Sequence, residues 1–197
     1  EADILLLVQP NNPDGQRFPR ARLLAWHAEL AARGGCLIVD EAFIDVDPAD
    51  SLVPLAGLPG LVVLRSVGKF FGLAGARVGF VFAETAVLDA LAERLGPWAV
   101  SGPARQVTAA ALADTAWQAE ARRSLARDSR RLARLLDENG LVGGAGTALF
   151  QWRPAPRARA IHEALAAKGI LTRLFEAPTG LRFGLPASES QWARLAA

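Results

Sequence analysis

Methionine is absent from this 197-residue sequence, and cysteine occurs once. A single cysteine, Cys36, cannot close an internal disulfide, and its place in the apolar run Cys36-Leu-Ile-Val39 reads as a small core hydrophobe rather than a reactive thiol. No stretch approaches the roughly 18 to 20 uninterrupted apolar residues that a membrane helix needs, and no charged-then-apolar leader opens the chain. The expectation is a cytoplasmic protein without a membrane partner. Lacking methionine and opening inside the apolar strand pattern Ile4-Leu-Leu-Leu-Val8, the sequence also predicts that an amino-terminal portion precedes it. Lysine is scarce too: of the 22 basic residues only Lys69 and Lys168 are not arginine, so each lysine invites a chemical question. Charge of one sign does not dominate, because the net charge is only +2. The arginine excess still leaves a phosphate- or nucleic-acid-binding surface open.

What is present is a chain 51% hydrophobic and 21% charged, long enough to bury a core and to form one or two domains. Residues 1–104 alternate short apolar runs with helical patterns, the signature of a mainly parallel sheet covered by helices. The expected strands are Ile4 to Val8, Cys36 to Val39, Leu61 to Leu64 and Val78 to Phe82. Between the first two, a helix starting near Pro19 carries Leu23, Leu24, His27 and Leu30 on roughly one side and stops at Gly34-Gly35, which makes one βαβ unit. His27, on that apolar side, reads as a packed or solvent-edge histidine rather than a ligand. Connecting helices follow over 105–140, the second of them rich in alternating charge, and 141–197 reads as a small α+β domain. Its expected elements are a strand at Thr147 to Trp152, a helix at Arg157 to Lys168, strands at Ile170 to Leu174 and Leu181 to Leu185, and a last helix after Pro186.

The most informative stretch is Ser66-Val-Gly-Lys69-Phe-Phe-Gly72-Leu-Ala-Gly75-Ala-Arg77-Val-Gly79, a polar, glycine-rich connection between two apolar strands. Sheets with such connections place ligands there. Lys69 has a serine three residues before it and an arginine eight residues after it, and a hydroxyl with a guanidinium suits a phosphate held in one orientation. An amine must be neutral to attack an aldehyde, and partial burial among Phe70, Phe71 and Leu73 would favour that form by desolvation. Asp40 ends the strand that Cys36 begins, where a carboxylate is costly without a cationic partner such as a protonated pyridine nitrogen; a cap or turn role is the alternative. Glu41, Asp45 and Asp47 read as surface or turn acids. Gln9-Pro-Asn11-Asn12-Pro13-Asp14-Gly15 has turn composition, yet Asn12 at the strand end could donate its amide hydrogen to a phenolate oxygen.

In order and spacing, Asn12-Pro13-x-Gly15, Asp40-x-Ala42 and Ser66-x-x-Lys69 with Arg77 resemble the cofactor site of fold-type I pyridoxal-phosphate aminotransferases. Asp-Glu-Ala-Phe-Ile-Asp at 40–45, Val-Leu-Arg-Ser at 63–66, Pro-Trp-Ala-Val-Ser at 97–101 and Leu-Arg-Phe-Gly-Leu-Pro at 181–186 resemble the histidinol-phosphate aminotransferase branch. Within that branch the resemblance is nearest to the threonine-phosphate decarboxylases of cobalamin biosynthesis. It implies an aspartate-aminotransferase-like large domain binding pyridoxal 5'-phosphate over 1–104, followed by a small carboxyl-terminal domain. It further implies that Asn12 bonds the cofactor's ring oxygen, Asp40 its pyridine nitrogen, and Ser66 and Arg77 its phosphate, with Lys69 the lysine that holds it covalently. Arg182 matches the arginine that receives the substrate carboxylate, and Arg173 a neighbour that helps bind a second anion. The sequence departs from the pattern at Phe43, where many aminotransferases carry a tyrosine, and it lacks the family's earlier glycine-rich phosphate loop and ring-stacking aromatic residue. Family members are homodimers with sites at the subunit interface.

The implied activity is decarboxylation of L-threonine O-3-phosphate to aminopropanol phosphate, a small phosphorylated amino acid being the substrate and no metal or nucleic acid being needed. Amino transfer of the histidinol-phosphate type is the alternative within the family. A reading from another class is a non-catalytic, arginine-rich nucleic-acid-binding module. Arg122, Arg123, Arg127, Arg130, Arg131 and Arg134 speak for it, and the acids interspersed among them speak against it.

Overall fold

The computed structural model describes residues 3–197, in two compact units. The first comprises the chain as far as Asn11 together with Arg17–Gln118, and the second comprises Asn12–Gln16 with Ala119–Ala197.

In the first unit β1 (Ile4–Val8), β2 (Cys36–Asp40) and β3 (Leu61–Ser66) run parallel, and β4 (Gly79–Phe82) closes the order β1-β2-β3-β4 antiparallel to β3. The mainly parallel sheet expected from the apolar runs is therefore present. Strand alternation decides which side chains reach the core: Leu37 and Val39 of β2 and Leu61 and Val63 of β3 are inside, against Leu23 and Leu30 of α1 (Arg20–Ala31) and against Leu52 and Ala56. A leucine buried this way contributes roughly 1.5–3 kcal/mol, so these eight residues hold the strand ends on a fixed platform. His27 is half-buried at the solvent edge, with Nε2 2.9 Å from the Pro59 carbonyl oxygen. Two helices, α2 (Thr85–Leu95) and α3 (Gly102–Ala113), follow β4; the Ser101 hydroxyl caps α3 by accepting from the Ala104 amide at 3.4 Å.

The second unit holds most of α4 (Thr115–Glu138) and an antiparallel sheet of order β5-β6-β8-β7, built from Ala145–Thr147, Phe150–Pro154, Thr179–Gly184 and Arg173–Glu176 respectively. Its helices are α5 (Ala158–Ala167) and α6 (Glu189–Ala196), and its core joins Leu132 and Leu136 to Ala155, Ala158, Leu181, Phe183 and Trp192. Two expectations change here. The strand expected at Thr147 to Trp152 is a hairpin, because the Thr147 hydroxyl accepts the Leu149 amide at 3.0 Å and turns the chain. The strand expected to begin at Ile170 begins at Arg173. The amides of Gly169 and Ile170 are taken by the last carbonyls of α5, at 2.8 and 2.9 Å, which carries 170–172 out of the ladder. No helix among the described residues is long and apolar enough to cross a membrane.

Candidate active site

The first unit brings four of the expected residues to the carboxyl ends of parallel strands, the customary ligand edge of such a sheet. Asp40 ends β2 and Ser66 ends β3, one strand away. The Asp40 Oδ1 accepts the Ala42 amide at 2.9 Å, which fixes the carboxylate's rotamer and leaves its other oxygen for a ligand. Ser66 accepts the Gly68 amide on its Oγ at 3.1 Å, so the hydroxyl hydrogen remains available to donate. A Cβ at Gly68 would stand 3.3 Å from both the Ala74 Cα and the Ser66 Oγ, a tight fit in this turn.

Lys69 corrects one expectation. It is exposed, because Phe70 and Phe71 turn inward, packing on each other with centroids 5.0 Å apart and on Trp117 at 5.4 and 6.0 Å. The apolar group facing the amine is Phe43, whose ring centre lies 5.5 Å from Nζ. Arg77 has φ 55° and ψ 43°, the one described non-glycine residue with positive φ. That conformation costs roughly 1–2 kcal/mol for an L-residue, and strain of this kind concentrates at ligand sites. Among the described residues its Nη1 donates to the Ala74 carbonyl alone, at 3.3 Å.

Two residues read as surface acids are not. Glu41 is fully buried and Asp45 is 6% exposed. Glu41 accepts the Ser51 hydroxyl at 2.5 Å and the Leu52 amide at 2.7 Å, and its Oε2 lies 3.5 Å from Arg65 Nη1. Arg65 also pairs with Asp45. Burial pushes the Glu41 carboxyl above the ordinary carboxylate range, against the pull of its hydrogen bonds and of Arg65. The available signal was alternation: Glu41 follows Asp40 and Arg65 precedes Ser66, so each takes the sheet face opposite its neighbour.

In the second unit Arg182 lies on β8, opposite Trp152 of β6 on one side and Arg173 of β7 on the other. Like charges directly across a ladder repel. Among the described residues neither guanidinium is ion-paired to a carboxylate; Arg182 Nη1 donates to the Asn12 Oδ1 at 2.5 Å and stacks 5.1 Å over Phe150. Desolvation, then Arg173, lowers the proton affinity of Arg182 below that of an ordinary arginine. With Asn12 Oδ1 engaged, the amide's N–H groups are left to donate. Gly15 completes this turn: its φ is +68°, and a Cβ would stand 2.5 Å from the Gly146 carbonyl carbon.

The family model for aminotransferase class I and II matches residues 1–197. The chain belongs to that family. It is 55% identical over 193 residues to a threonine-phosphate decarboxylase of Pseudomonas aeruginosa, an alignment covering 98% of this chain and 58% of that protein. A threonine-phosphate decarboxylase of a Sinorhizobium species is 45% identical over 201 residues, covering 100% of this chain and 59% of the relative. The crystal structure of histidinol-phosphate aminotransferase from Sinorhizobium meliloti in complex with pyridoxal-5'-phosphate superposes with a TM-score of 0.88 at 26% identity, over 99% of this chain and 55% of that one. The chain thus spans somewhat more than half the length of these relatives. The arginines of α4 do not form a bare basic stripe: Arg123 pairs with Glu120, Arg127 with Asp128 and Arg131 with Glu189.

Proposed function

We propose that this chain supplies the catalytic lysine, most of the cofactor contacts and the substrate-binding arginines of a cytoplasmic, homodimeric, pyridoxal-phosphate-dependent threonine-phosphate decarboxylase. The supporting observation is the arginine pair: Arg173 and Arg182 are register partners on β7 and β8, and among the described residues neither is ion-paired to a carboxylate, which suits a substrate bearing a carboxylate and a phosphate. The donor set also fits the cofactor. The Ser66 hydroxyl and the Arg77 guanidinium suit a phosphate, the Lys69 amine an aldehyde, the Asp40 carboxylate a pyridine nitrogen, and the Asn12 amide a ring oxygen.

When bound, pyridoxal phosphate supplies an electron sink for the bonding pair left at the substrate's α-carbon. Asp40 keeps the pyridine nitrogen protonated. Lys69 would hold the cofactor through its amine and, on the same side of the site, would return a proton to the substrate's α-carbon. Arg182 receives the substrate carboxylate and Arg173 helps bind the phosphate, giving aminopropanol phosphate as product. The test is product analysis of the full-length protein with threonine phosphate. Carbon dioxide without keto acid supports decarboxylation, and keto acid formed with transfer of the amino group identifies an aminotransferase instead.

A further inference from the structure

We propose that Arg65 and Glu41 are positioning residues of the cofactor site, bracing Asp40 and Ser66 from the opposite face of the sheet. The proposal rests on the functional reading above, since Asp40 and Ser66 are the groups to be placed. Each member of the brace is covalently adjacent to one of them, and alternation sends neighbours to opposite faces. Above the sheet edge stand a carboxylate and a hydroxyl; beneath it Glu41 and Arg65 join β2 to β3, with Nη1 3.5 Å from Oε2. Ser51 and Leu52 hold the Glu41 oxygens at 2.5 and 2.7 Å, Arg65 Nη1 also reaches the Ser51 Oγ at 3.3 Å, and Asp45 takes the other end of the guanidinium.

Stability alone does not account for this arrangement. Buried ion clusters are often no more stable than apolar side chains of the same volume, and this one leaves the buried Arg65 Nε without a partner. Nor does apolar packing fill the same role, because a cavity of 160 Å³ lined by Asp45, Arg65, Ser66, Phe71, Phe80 and Phe82 lies beside it. With an open pocket next to the strand end, the ion cluster is the side-chain tie between β2 and β3 there, added to the ladder that pairs Arg65 with Phe80 and Ser66 with Gly79. Misplacement of a reacting or binding group by about 1 Å can cost on the order of 10²-fold in rate.

The experiment uses full-length protein with pyridoxal phosphate as the probe, comparing wild type with Arg65→Met, Arg65→Lys and Glu41→Gln. Cofactor dissociation constant, visible absorbance band and thermal unfolding are measured on the same samples. The expected result is cofactor binding weakened at least tenfold in Arg65→Met, with a shifted band, partial recovery in Arg65→Lys, and a smaller weakening in Glu41→Gln. Folded variants that bind within twofold of wild type with an unchanged band would overturn the proposal, leaving the cluster a stabilising feature only. Should Arg65→Met fail to fold, Glu41→Gln, nearly isosteric, decides by the same criteria, and failure of both to fold would also overturn it. A wild-type protein that takes up no pyridoxal phosphate defeats the functional reading itself, a result distinct from any variant's behaviour.

Discussion

Arg65 in the first unit and Arg182 in the second are both strand arginines shielded from water, yet their surroundings are opposite in kind. Arg65 is given two carboxylates by its own fold, Glu41 and Asp45. Arg182 is given a neutral amide and, across the ladder, a second arginine. Arg153, beside it in the same sheet, resembles Arg65: at 3% exposure it donates to the Gln151 side chain and the Trp152 carbonyl, both at 3.0 Å, and lies 3.5 Å from Asp137. A guanidinium ion-paired within the fold is a brace, whereas one set against another guanidinium keeps an unfavourable interaction that an anionic ligand removes.

The comparison predicts that charges awaiting a ligand act on turnover directly, whereas charges paired within the fold act through stability and through the groups they place. The largest effect on turnover is expected from Asp40→Asn, since among the described residues Asp40 has no ion-pair partner. A neutral amide cannot keep the pyridine nitrogen protonated, so most turnover should be lost while cofactor is retained. Near-normal turnover would make Asp40 a turn residue. Arg182→Lys comes next. It keeps the charge and loses the two-pronged geometry, and with roughly 1.5–3 kcal/mol per charge-assisted bond the kcat/KM should fall more than tenfold. Arg173→Lys should harm threonine phosphate more than unphosphorylated threonine; equal harm to both would remove Arg173 from the phosphate.

Arg153→Met sharpens the contrast from the other side. Loss of its hydrogen bonds leaves acceptors buried, so denaturant unfolding should show a loss of about 1–3 kcal/mol with KM unchanged. A raised KM would break the division between braces and ligand-binding arginines. The smallest effect concerns pH. Because the folded Glu41 carboxyl is raised, its protonated form is favoured by folding; that contribution is present at low pH and lost as pH rises through the folded value. Wild type should therefore lose stability relative to Glu41→Gln as pH climbs above the ordinary carboxylate range, and parallel unfolding curves would show that Glu41 does not titrate there.

Local pattern made the parallel sheet legible, because continuous apolar runs at 36–39 and 61–64 separated by turn residues leave few other folds. The Ser66, Lys69 and Arg77 spacing was legible for the same reason, being contained in one loop. What escaped was tertiary. The inward turn of Phe70 and Phe71, which leaves Lys69 exposed, depends on Trp117 far along the chain. Glu41 and Asp45 looked like surface acids because residue type favours exposure, and partners distant in sequence, Ser51 and Leu52 for Glu41 and Arg65 for both, override it. The Arg173–Arg182 pairing needed the register of β7 on β8, which composition does not encode.

The central claim is that Lys69 holds the cofactor, and the measurement that reaches it most directly is borohydride reduction of the full-length protein with pyridoxal phosphate, followed by peptide mapping. The chain offers two lysines, Lys69 in the strand-end loop and Lys168, whose Nζ lies 3.4 Å from the Ala197 carbonyl oxygen. The account predicts label on the peptide containing Lys69 and none on that containing Lys168. Label on Lys168, or on neither, would contradict it.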